Sequence, residues 1–143
     1  MKHYWPEHLP VGAVRFARPT ARLVECLHFY RDVLGLRVLA EFYDHSGYDG
    51  VIFGLPGNTV HLELTQRIND ARIPEPSPEN QVVLYFRDAD AVVTASVRVQ
   101  AHGYISIKPE NPYWSDRGAT AFEDPDGWVV IFAPWILGAV PQD

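Results

Sequence analysis

The chain is expected to fold as an α+β protein built from two βαβββ modules. Three observations carry this: one element order occurs twice, a proline-rich stretch separates the copies, and apolar residues fall on one side of each predicted element. The two copies share order rather than literal sequence.

In the first copy, VGAVRFARP (from Val11) alternates its side chains and forms a strand. Thr20 is expected as the N-cap of a helix, its hydroxyl meeting the free amides of the first turn. Leu23, Cys26, Leu27, Tyr30, Val33 and Leu34 follow at helical spacing, and Gly35 supplies the stop. LRVLAEFYD, YDGVIFGL and NTVHLELT form three strands, with Gly47 in the first connection and Pro56-Gly57-Asn58 as a tight turn. The stretch RINDARIPEPSPE carries Pro74, Pro76 and Pro78 at alternate positions and suits a stiff, extended linker. The order then returns. QVVLYF is a strand, and Asp88 caps a helix carrying Ala91, Val92, Ala95, Val99 and His102 up to Gly103. YISIKP, GATAFED and WVVIFAP complete the copy, with Asp124-Pro125-Asp126-Gly127 as a hairpin turn. One domain over 1–143 results: a first module at about 10–66, a linker at 67–79, a second module at about 80–134 and a tail at 135–143. So short a module leaves one sheet face bare. Two such sheets cover each other or enclose a cavity, the natural place for a ligand.

Composition narrows the function. The chain of 143 residues is 47% hydrophobic and 21% charged, which excludes wholesale disorder. Its net charge of −6 repels phosphate backbones, so no nucleic-acid partner is expected. The single cysteine, Cys26, has no partner for an internal disulfide and fits a reducing compartment. It falls on the buried stripe of the first helix, as an inert core thiol. MKHYWPEHLP has charges and prolines where a leader needs an apolar run, and no stretch approaches the length of a membrane span. The expectation is a cytoplasmic protein without a membrane partner. The tail places Trp135, Ile136 and Leu137 after the last strand, an exposed patch for covering the sheet or for self-association; a homodimer is the expected assembly.

HFYRDVLGLRVL, from His28 to Leu39, resembles the first-helix signature of the glyoxalase/bleomycin resistance/dioxygenase (vicinal oxygen chelate) superfamily, in which an FY-x-x-x-LG-[LF] run leads into the second strand. HLEL (His61–Leu64) resembles the fourth strand of that family's first module. EDPDGWVVIF (Glu123–Phe132) resembles the turn and closing strand of its second. The three matches span nearly the whole chain in the right order. HSGYDGVIFGLP, HLELTQ, ENPYWS and EDPDGW resemble, more narrowly, the uncharacterised YycE-like branch.

The resemblance also implies where a metal would be held. Its four ligand positions fall on Arg15 (fourteen residues before Phe29), Glu63, Gln81 and Ile131. A divalent ion needs lone-pair donors. Arginine has none to give and adds repulsion, and isoleucine has no donor. Only Glu63 and Gln81 remain, so no metal cofactor is expected.

Strand alternation turns Ala13, Arg15 and Ala17 towards the cavity and Val14 and Phe16 towards the helix. His61, Glu63 and Thr65 face inward likewise, and Gln81, Val83, Tyr85, Val129, Ile131 and Ala133 line the other half. Arg15 and Glu63 are expected to form a partly buried, bidentate ion pair where the metal would sit. That pair either neutralises a vestigial site or offers Arg15 to an anionic or carbonyl group. His61 shares a face with Glu63, as an acid–base partner, as a ligand with His45 to a non-standard metal, or as a structural histidine. Tyr48, Tyr113 and Trp114 fall in loops; in the family the NPYWSDRG connection borders the cavity mouth, where Tyr113 and Trp114 would stack on a planar ligand or pack beneath the loop. The candidate ligand-binding residues are therefore Arg15, Glu63, His61, Gln81, Tyr85, Tyr48, Tyr113 and Trp114, with Glu63 and His61 the candidate catalytic pair.

Three functions remain open. One is a metal-free small-molecule binding protein, a second is a metal-dependent lyase, isomerase or dioxygenase using His61 and Glu63, and a third is a structural dimer with a collapsed cavity.

Overall fold

A computed structural model describes residues 5–70 and 72–136. In chain order the elements are β1 (Val14–Pro19), α1 (Leu23–Leu27) running on into a π-helical segment (His28–Val33), β2 (Arg37–His45), β3 (Tyr48–Gly54) and β4 (Val60–Arg67). Then follow β5 (Gln81–Tyr85), α2 (Ala89–Ala101), α3 (Pro112–Asp116), β6 (Thr120–Glu123) and β7 (Val129–Ala133). The strand order is β1-β4-β3-β2 in one sheet and β5-β7-β6 in the other. Each begins with a parallel pair, β1 with β4 and β5 with β7, whose strands are linked by a helix-containing connection. The two expected modules are present.

Local chemistry explains most element ends, and two departures from the expected pattern. Asp88 caps α2, its Oδ1 accepting from the Ala91 N–H at 2.9 Å. Thr20 does not stand at the N-cap of α1, which is Arg22; its hydroxyl accepts from the Arg22 N–H at 2.9 Å, just ahead of the helix. The first helical N–H, of Leu23, is instead satisfied from β4 by Gln66 Oε1 at 2.8 Å. After one α-helical turn the helix widens, with the Leu34 N–H reaching back five residues to the Phe29 carbonyl at 2.9 Å. Gly35, at φ 87°, ends it. In the second module the expected strand at 104–109 reduces to one bridge, Ile107 to Ala121. Pro109 has no N–H to extend the ladder, and beyond it Pro112 opens α3, with Asn111 as the cap.

The helix-covered sides of both modules meet in one core. Phe29, Tyr30 and Val33 pack with Phe53, Leu62 and Leu64 from the first sheet, Val92 and Val99 from α2, and Phe122, Val130 and Phe132 from the second sheet. A smaller cluster of Ala121, Val129 and Ile131 lies with Val83, Ile107 and Trp114. The structure does not show an enclosed cavity between the sheets; the depressions that border the candidate residues are partly open grooves. Among the described residues no helix is long and apolar enough to cross a membrane.

Candidate functional site

Strand register determines which side chains share the open face of the first sheet. Arg15 pairs with His61 and Ala17 with Glu63 across β1 and β4. Across β3 and β4, Ile52 pairs with Glu63, Gly50 with Thr65 and Tyr48 with Arg67. These residues lie on the side opposite the buried Leu62 and Leu64, so the open face is mainly polar along β1 and β4 and small or apolar where Ile52 and Gly50 meet Ala40 and Phe42 on β3 and β2. The Phe42 ring fills the space over Gly50, where an added Cβ would come within 2.2 Å of Phe42 Cζ. A side chain at that position would have to displace the Phe42 ring.

Arg15 and Glu63 do approach each other, but not as the expected fork. A single Nη1–Oε2 contact of 3.9 Å joins a guanidinium 45% exposed to a carboxylate 16% exposed. The cause is the register: Arg15 stands beside His61, one pair out of step with Glu63, and β1 is an edge strand open to water. Such a pair contributes less than about 1 kcal/mol. His61 Nε2 bonds the Asn58 carbonyl at 2.9 Å, so that nitrogen carries the proton and Nδ1 is left free. His45 cannot join it. It pairs with Tyr48, whereas His61 pairs with Gly54, and six residues of β3 put the two rings roughly 20 Å apart. Among the described residues no three His, Cys, Asp or Glu side chains converge as a metal-binding group. The donor set therefore does not fit the metal implied by the resemblance.

His61 and Gln81 come together across the modules. They line a groove of ≈ 370 Å³ between the edges of β1 and β5, with Leu55, Leu62, Val82 and Trp128 as apolar walls. Phe16 borders it too. It lies on the helix side of β1, opposite Leu62, yet is 66% exposed because the helix does not reach the edge strand.

The predicted aromatic wall is elsewhere. Trp114 and Trp135 stack at 5.9 Å, and Trp135 meets Tyr113 at 6.1 Å and Tyr85 at 6.0 Å. Trp135, expected to be exposed, is only 8% so, while Ile136 is exposed and Leu137 lies outside the described residues. Trp114 packs on Ala121, Val129 and Ile131, and Ile131 is fully buried. Tyr85, Tyr113 and Trp114 thus cover the second sheet with the chain's own side chains, away from Arg15 and His61. Tyr48 stands at the far end of the first sheet, where its hydroxyl accepts from Arg67 Nε at 3.1 Å.

A polar cluster that the sequence reading missed joins the modules. Arg18 bonds Asp126 Oδ2 through Nη1 at 3.0 Å and Asp124 through Nη2, and its guanidinium lies over the Trp128 ring at 5.3 Å. Tyr30 donates to Asp124 Oδ2 at 2.6 Å, and the Asp126 and Trp128 N–H groups donate to Asp124 Oδ1 at 2.9 and 3.0 Å. Thr20 donates to Asp126 Oδ2 at 2.5 Å, with the Cys26 thiol 3.3 Å from the same oxygen. Burial pushes the Cys26 thiol up to about 12, which makes it inert as a nucleophile. Burial, with Asp124 beside it, also raises the Tyr30 hydroxyl well above its ordinary range. For Asp126, burial works upward, but the Thr20 and Arg18 hydrogen bonds outweigh it and hold the carboxyl below the usual value. Asp124 is pushed up by burial despite Arg18. Part of this was legible. Val14, Phe16 and Arg18 share the helix-side phase of β1, and a cation in that phase needs a buried anion, which the DPDG turn supplies.

Two family models match the chain: the YycE-like N-terminal domain over residues 14–65 and the YycE-like C-terminal domain over residues 79–133. The chain is 43% identical over 119 residues to the uncharacterised protein YycE of Bacillus subtilis (strain 168), covering 83% of this chain and 85% of that one. A crystal structure of YycE from Bacillus subtilis, described as of unknown function and assigned provisionally to the glyoxalase/fosfomycin resistance proteins, superposes with a TM-score of 0.85 at 39% identity. That match covers 92% of this chain and 97% of that one. A glyoxalase/bleomycin resistance protein from Streptomyces sp. CB03234 has the same fold, with a TM-score of 0.59 at 24% identity over 85% of this chain and 98% of its own.

Proposed function

Because the chain belongs to the YycE-like family, with the fold of the glyoxalase/bleomycin resistance superfamily, we propose that it binds a small molecule without a metal, in the groove between its modules. The observation that carries this reading is the donor set. Arg15 and Ile131 occupy two of the four positions where the family's ligands would stand, and Ile131 is buried under Trp114. What the groove offers instead is an apolar slot with His61 and Gln81 as hydrogen-bonding groups, and Arg15 and Glu63 beside it on the same sheet face. A ligand with a flat apolar body and a few polar edges suits that lining.

Metal analysis of the purified protein, combined with a small-molecule screen read by tryptophan fluorescence, tests the reading, because Trp128 lines the groove. The expected result is substoichiometric metal and a fluorescence change that survives chelator and weakens in His61→Ala. About one metal ion per chain, lost in Glu63→Gln, would overturn it in favour of a lyase, isomerase or dioxygenase that uses His61 and Glu63.

A further inference from the structure

A second depression, of ≈ 600 Å³, lies at the opposite end of the first sheet's open face, lined by Thr65, Arg67, Tyr48 and Pro19 with Asp70 and Arg72 at its rim. Its hydrogen-bonding groups are one-sided. Arg67 bonds the Tyr48 hydroxyl oxygen through Nε at 3.1 Å, and among the described residues no carboxylate stands within ion-pair distance of it. Both terminal nitrogens of its guanidinium are unused. The Tyr48 hydroxyl, having accepted that bond, still has its own hydrogen to give, and the Thr65 hydroxyl makes no hydrogen bond among the described residues.

The neighbouring acceptors are already occupied. Arg72 holds Asp70 in a two-point fork, at 3.0 Å from Nε and 2.9 Å from Nη2. Behind the pocket wall, Asp124 and Asp126 are committed to Arg18, Tyr30 and Thr20. Unused donors thus stand together where the lining carboxylate, Asp70, is already held by Arg72, on a chain whose net charge is −6. Neutral ligands leave that imbalance; an oxyanion removes it, and the two terminal nitrogens of an arginine present parallel N–H groups at the spacing of two such oxygens. Pro19 and Ile73 give an apolar wall for the rest of the molecule.

We propose that this depression is a second binding site, for the oxyanion group of a small planar organic molecule, with Arg67 as the principal donor and Thr65 and Tyr48 completing the contact. It shares the Ala17 and Arg18 wall with the groove between the modules, but not that groove's His61 and Gln81, so loss of Arg67 tests this site and loss of His61 tests the other.

Isothermal titration with benzoate, phenylphosphonate and the neutral isostere benzamide tests it, on the wild type, Arg67→Met, Arg67→Lys and the charge-matched control Arg87→Met. Benzoate or phenylphosphonate is expected to bind and benzamide to bind much more weakly; the tighter anion shows whether the site takes a planar carboxylate or a tetrahedral phosphonate. Arg67→Met is expected to weaken anion binding about tenfold or more, with Arg67→Lys in between and Arg87→Met unchanged. The circular dichroism spectrum identifies a variant that has not folded, and Arg67→Lys then decides alone. The proposal is overturned if neither anion gives a saturable signal at millimolar concentration, if benzamide binds as well as the anions, or if folded Arg67 variants bind as the wild type does.

Discussion

The two modules repeat one element order yet treat the outer face of their sheets in opposite ways. On the first, Arg15, His61, Glu63, Thr65 and Arg67 stand along β1 and β4, none of them in either hydrophobic cluster among the described residues, and Phe42 fills the space over Gly50. On the second, the corresponding surface of Val83, Val129 and Ile131 is covered by Ile107 and Trp114, with Trp135 stacked above. The segment that should have been a strand has become the cover. A sheet face that remains open can be polar and adaptable, whereas a face closed by its own chain must be apolar and well packed. The repeat therefore duplicates a scaffold and not a site, and the surface left for a ligand belongs to the first module and its border with the second.

That contrast can be broken in several places. The largest effect is expected where the modules join: Arg18→Met strands two buried carboxylates and should cost about 3–5 kcal/mol in urea unfolding. A cost below about 1 kcal/mol would mean that the cluster contributes little to holding the modules together. Next, Trp114→Ala should cost about 2 kcal/mol through lost packing over the second sheet, whereas Glu63→Gln on the first should change stability by less than about 1 kcal/mol. Equal effects would erase the distinction between the faces. The smallest effect is a slope. Asp126 has its carboxyl held below the usual value, so its stabilisation is complete above the unfolded value of about 3.9 and is lost as pH falls through the folded one. Thermal melts between about pH 5 and pH 2 should therefore fall less steeply in Asp126→Asn than in the wild type. An unchanged slope would assign the acid sensitivity to other carboxylates.

Much of the architecture was visible in the sequence because periodicity and punctuation report local structure. The strands, the Asp88 cap and the Gly35 stop follow from neighbours only a few residues away. The failures involve distant partners. Thr20 accepts from the nearby Arg22 N–H, as local chemistry suggests, but its hydroxyl hydrogen goes to Asp126, 106 residues further on. The strand expected at 104–109 had the right apolar pattern, yet it forms only the Ile107–Ala121 bridge, with Pro109 unable to carry the ladder on. The Arg15–Glu63 pair follows from the ligand positions that the resemblance implies together with strand alternation, while its loose geometry depends on a register that neither specifies. Tyr113 and Trp114 stand out in the sequence as aromatics in a polar loop, but sequence does not tell whether such a loop waits for a ligand or packs onto its own sheet.

The Arg18 cluster also bears on the order in which the protein can be made. Its cation lies 106 and 108 residues before the carboxylates that neutralise it. During synthesis the first module leaves the ribosome with a core-facing guanidinium and no counter-charge, and the second half of the chain must follow before that charge can be buried. Contacts so far apart in sequence are slow to close and raise the contact order of the fold. The first module is thus committed last in one respect, although it is synthesised first: it can gather its strands early, but its final packing waits for a turn near the other end of the chain.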